Sequence, residues 1–136
     1  MKEENIFQID KPDEWHCSVE RFSNSQNMLR IELQNIERKT QQMYLIFRKV
    51  RYFTGWMSWI GANFTAGSDN ECYALLNKGI LEHKQLDRKV YRFSNLTLFQ
   101  VHGVQGKHIQ IIANAGGLEN ADGNMISSFP RLMKIL

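Results

Sequence analysis

The sequence predicts a mainly β protein, an antiparallel sandwich or a strongly bent sheet or open barrel of about six or seven strands, with one short helix. Three observations carry that prediction. Apolar and polar residues alternate with period two through several stretches, the pattern of a strand with one face buried and one face wet. The polar run Ser23 to Asn27 separates two such stretches and makes them an antiparallel hairpin. Only residues 69–78 combine a helical apolar stripe with a cap at its start. An α+β layout with a single sheet is the alternative.

In "WHCSVE", Trp15, Cys17 and Val19 alternate with His16, Ser18 and Glu20. In "LRIELQ", Leu29, Ile31 and Leu33 alternate with Arg30, Glu32 and Gln34. These are the strands of the first hairpin. In "QQMYLIFRKVRYF", Met43, Leu45 and Phe47 keep one parity, while Val50 and Tyr52 keep the other. One extra residue near Arg48 and Lys49 moves later side chains to the opposite face, so a β-bulge is expected there. Gly55 supplies a turn. "SWIGANF" then returns as a strand, with Ile60, Ala62 and Phe64 on one face and Trp59, Gly61 and Asn63 on the other.

The helix follows in "SDNECYALLNKG". Ser68 and Glu71 have capping-box spacing, and Asp69 and Lys78 suit the two ends of the helix dipole. Its stripe of Cys72, Leu75 and Leu76 needs a sheet to lean on, because so short a helix is marginal alone. The preceding strand offers Trp59 as the surface to cover. "LEHKQLDRK" reads as a loop, "VYRFSNLTLFQVH" and "KHIQIIANA" as strands, and "NAGGLENADGN" as a flexible loop. "SSFPRLMKIL" reads as a terminal helix from Ser128, with Pro130 in its first turn.

A length of 136 residues fits a single domain over 1–136 that buries a core without staples. The net charge of +3 is spread along the chain rather than gathered on one face, which argues against nucleic acid as partner. Charges interrupt every apolar run before it reaches a membrane span, and "MKEENIFQIDKPDEW" is acidic where a secretion signal is basic. A cytoplasmic protein is expected, and Cys17 and Cys72 are read as free thiols. The chain lacks G-x-S-x-G, H-E-x-x-H and Walker motifs, and His16 and Cys17 point to opposite faces of a strand. No cofactor, no metal and no catalytic residue is assigned.

Two places remain for function. "RYFTGWMSWIGANF" gathers aromatic rings near one turn; Trp56, Trp59 and Asn63 are its candidate binding residues. Trp59, flanked on its face by Gly61 and Asn63, would make a platform, although a core role is the stronger reading. In the last hairpin, putting Phe99 and Val101 on one face with Ile109 and Ile111 sets His102 directly across from His108. A histidine pair can share a metal or relay a proton, yet exposed histidines at a hairpin end are ordinary surface residues. The expected function is a non-catalytic binding or interaction module that engages a protein partner or a second copy of itself through an aromatic-rich sheet face. The alternative is a small enzyme or small-molecule-binding barrel built on His102 and His108.

Overall fold

The first hairpin forms as its alternation requires. β1 (Trp15–Ser23) pairs antiparallel with β2 (Met28–Asn35), placing Cys17 across from Leu33 and Val19 across from Ile31. The register slips between Val19 and Arg21, and Phe22 then pairs with Leu29. This bulge restores Phe22 to the face that carries Val19 and Leu29. A salt bridge of 2.9 Å from Arg30 Nε to Glu20 Oε1 spans it, and the Arg30 guanidinium lies 4.1 Å from the Tyr44 ring centre.

The computed structural model describes residues 5–79, 95–106 and 108–130. Its remaining elements are β3 (Gln42–Arg48), β4 (Tyr52–Thr54), β5 (Ser58–Ile60), β6 (Phe64–Ala66), α1 (Asp69–Gly79), β7 (Thr97–His102), β8 (His108–Ala113), β9 (Ala115–Asn120) and β10 (Met125–Phe129). They make two antiparallel sheets, a six-stranded one in the order β10-β9-β3-β2-β1-β5 and a four-stranded one in the order β4-β8-β7-β6. The sheets face each other as a sandwich. Ile31, Leu33, Leu45 and Phe47 from the first meet Phe64, Phe99, Val101 and Ile111 from the second in one buried cluster. Ten strands among the described residues exceed the six or seven expected, because three are only three residues long and too brief to show a period.

The parity change after Phe47 is a crossing between sheets, not a bulge. Lys49 takes a positive φ of 54°, the Val50 N–H donates to Asn27 O, and the Arg51 N–H donates to Ile112 O in the opposite sheet. A second crossing at Gly61, whose φ of 119° few side-chain-bearing residues adopt, divides "SWIGANF" into β5 of one sheet and β6 of the other. Trp59 and Phe64 therefore enter the same core from different sheets, although simple alternation puts them on opposite faces.

Trp59 is 1% exposed and packs between the sheets, whereas α1 covers the far side of the smaller sheet. The expectation that the helix shields Trp59 is corrected on that point. Cys72 and Leu76 of α1 bury themselves against Leu98 and Ile112. Its start is the capping box the sequence announces: the Glu71 N–H donates to Ser68 Oγ at 3.1 Å and the Ser68 N–H to Glu71 Oε1 at 2.9 Å. The helix ends one residue beyond the expected 69–78.

Two further expectations change. "NAGGLENADGN" contains β9, whose glycines have a packing reason rather than a flexible one. A Cβ on Gly116 would lie 2.8 Å from ring atoms of both Phe47 and Phe7. Ser128 and Phe129 belong to β10 and not to a terminal helix, since the Phe129 ring packs edge-on against Phe99 with centres 6.0 Å apart. The expected loop at 81–89, the start of "VYRFSN" and the end of the closing helix lie outside the described residues.

The segment before β1 also joins the core. Phe7 is fully buried and contacts Phe47, Phe64 and Phe99 with ring centres 5.7–6.0 Å apart. The Ile6 N–H donates to Phe64 O, and Ser127 Oγ donates to Phe7 O at 2.7 Å. This segment thus ties an edge strand of each sheet together and closes that side of the sandwich.

Candidate binding site

The other side, where β4 approaches the end of the β1–β2 hairpin, stays open. β4 is too short to cover the facing strands, and the chain between the sheets at Val50 and Arg51 leaves a cleft of about 330 Å³. Val19, Leu29 and Val50 line its floor, and Phe53 of β4 forms a wall, while the Tyr52 side chain turns to the α1 side of the sheet. Phe22 and Met57 stand at its mouth, 45% and 65% exposed. Leu29 and Val50 are buried, so the cleft reaches from solvent to the edge of the core. Arg51 supplies the one charged side chain among the described residues that line it.

The bulge in β1 and the crossing after β3 build this place together. The first turns Phe22 inward toward Leu29, and the second carries Val50 and Arg51 from one sheet to the other. The Val19 N–H donates to Met57 O at 2.8 Å, extending the β1–β5 ladder to the mouth. A wet cleft lined by Val, Leu, Phe and Met side chains keeps apolar area in contact with water. An apolar ligand relieves that cost at roughly 25 cal/mol per Å² covered.

A second hollow, of about 170 Å³, lies near the β2–β3 turn and is polar. Asp10, Glu14 and Glu37 share it with Lys11 and Arg38, so its charges are of both signs. Asn35 Oδ1 accepts from the N–H groups of Glu37 and Arg38, which commits that polar side chain to the turn itself. This hollow is better explained as a turn than as a site.

The residues singled out in the sequence fall in three places. Trp56 is 57% exposed and immediately precedes Met57 at the mouth of the cleft. Trp59 is no platform: its indole Nε1 donates to Gly61 O at 2.8 Å inside the core. The same oxygen accepts a 3.5 Å contact from Cys17 Sγ, and burial pushes the Cys17 thiol well above its ordinary pKa. Asn63 is half-buried just before Phe64, whose partner is Val101, so it flanks the His102 end of β7.

His102 and His108 pair in the expected register, with Val101 across from Ile109. Both are exposed, and their rings stack with centres 4.3 Å apart and planes within 3°. Nitrogen lone pairs lie in the ring plane, so parallel rings aim theirs side by side and not at a common metal. In the neighbouring pair Gln110 Nε2 donates to Gln100 Oε1 at 3.2 Å, while the buried Gln100 Nε2 has no partner among the described residues. Among the described residues, no three His, Cys, Asp or Glu side chains gather as a metal-binding group.

The structure thus brings the histidines together and separates Trp59 from Trp56. Val19, Phe22, Leu29, Val50 and Phe53, which line the cleft, are absent from the sequence-based candidates. One signal was present: Phe22 is the lone large apolar residue in the polar stretch "ERFSNSQN", one position out of phase with Val19.

No protein-family model, no curated protein and no solved structure matches this chain. No helix among the described residues is long and apolar enough to cross a membrane.

Proposed function

We propose that this protein is a non-catalytic, cytoplasmic binding module whose recognition site is the apolar cleft between its sheets. The observation that carries this reading is the cleft's lining, an apolar floor and wall that open to solvent between Phe22 and Met57. A volume of about 330 Å³ falls at the small end of small-molecule sites, which are commonly apolar with a few polar groups that fix orientation. The lining offers grip rather than reaction chemistry: its one charged side chain is the Arg51 guanidinium. The aromatic stretch keeps a part in this reading, but through Phe53 and Met57 and not through Trp59. Two buried free thiols favour the cytoplasm.

The test is thermal. A small neutral amphiphile such as octanol is expected to raise the melting temperature through preferential binding to the folded state, by about 2.7 kcal/mol of stability at a hundredfold excess over Kd. Phe22→Glu and Met57→Glu, both at exposed positions, are expected to fold and to abolish the shift. An equal shift in both variants would remove the cleft as the site.

A further inference from the structure

We infer that the ligand of this cleft is a short apolar chain ending in a carboxylate, an inference that rests on the cleft being the binding site. The floor, made by Val19, Leu29 and Val50, offers no side-chain hydrogen-bonding group, so a polar head bound there would lose its hydration without replacement. The head must stay at the mouth. There the exposed Arg51 lines the opening.

The nearby acid does not cancel this charge. Glu20, in the bulge that positions Phe22, is already engaged with Arg30 at 2.9 Å. Among the described residues, Arg51 has no carboxylate partner. A guanidinium presents paired N–H donors that match the two oxygens of a carboxylate, and it repels an ammonium head. The size of the cleft limits the chain: about 330 Å³ suits a medium-chain acid and not a long one. Chain in the cleft and carboxylate at Arg51 give a fatty-acid-like ligand held at both ends.

The experiment is calorimetric titration of the full chain with octanoate, decanoate, decanol and decyltrimethylammonium, each below its own aggregation concentration. Decanoate is expected to bind about fifteenfold more tightly than octanoate, from roughly fourfold per added methylene. It is expected to bind about tenfold more tightly than decanol, the advantage of a charge-assisted head contact. Arg51→Gln, whose fold is checked by its melting curve, should bring decanoate down to the affinity of decanol. Equal binding of decanoate and decanol to the wild type, unchanged in Arg51→Gln, would overturn the carboxylate and leave the cleft reading standing. Binding of none of the four would remove both. Co-sedimentation with anionic phospholipid vesicles, without binding of monomeric decanoate, would make the surface a membrane contact and overturn the inference.

Discussion

Gly61 O accepts from two side chains in the interior, and it explains why Trp59 is structural. The indole N–H and the Cys17 thiol both point at it from within the buried cluster, at the residue where the chain changes sheets. Trp59→Ala removes a wholly buried ring and is expected to cost about 3–5 kcal/mol in chemical denaturation. Trp59→Phe keeps most of the apolar volume but loses the indole donor, and should cost about 1–3 kcal/mol. If Trp59→Ala instead left stability within about half a kcal/mol of wild type, the residue would not be core. The thiols give a second check at this scale. Cys17 and Cys72 are free and buried in separate clusters, on opposite sides of the smaller sheet. Iodoacetamide is expected to leave both untouched in the folded protein and to label both after unfolding without reductant. A single label or none in the unfolded chain would mean that one or both are oxidised.

Among the elements, α1 and the β7–β8 hairpin were the most legible, because their signals are local. A capping box needs only four consecutive residues, and it forms as read; Ser68→Ala should cost about 1 kcal/mol, measured by urea denaturation. The hairpin register follows from two apolar faces that must coincide, and His102 duly meets His108. Their parallel stacking leads to a plain expectation. Zinc or nickel in modest excess should not raise the melting temperature, and His102→Ala should be nearly silent. A metal-induced rise that vanishes in His108→Ala would show that the rings rotate to a shared ion. The elements misread share a different physics. β9 has glycines where strands prefer branched residues, since Phe7 and Phe47 occupy the space above Gly116. β10 is drawn into the sheet by Phe129 meeting Phe99, a contact thirty positions away that no local pattern encodes. The crossings at Lys49 and Gly61 break alternation without leaving a sheet-assignment signal, so alternation alone gives Trp59 the wrong partner surface.

On the scale of the molecule, the sandwich is closed unequally. Phe7 plugs one side by packing on Phe47, Phe64 and Phe99, while β4 and the β1–β2 hairpin leave the other side open. Alternation makes the antiparallel, mainly β character readable and leaves sandwich, bent sheet and open barrel as its forms; this asymmetry is not readable, because a cleft depends on what fails to meet across two sheets. It also moves the candidate site: Trp59 lies in the core, Trp56 stands beside Met57, and the floor is made of Val19, Leu29 and Val50 on the buried face. The most direct measurement is a methyl-resolved NMR titration of the intact protein with octanol. Progressive, saturable shifts should concentrate on the methyl groups of Val19, Leu29, Val50 and Met57. Those of Leu98 and Ile112, beneath α1 on the far face, should stay still. Saturable shifts centred on Leu98 and Ile112, or no shifts at Val19, Leu29 and Val50 at the solubility limit of octanol, would contradict the claim that this cleft is where the protein binds.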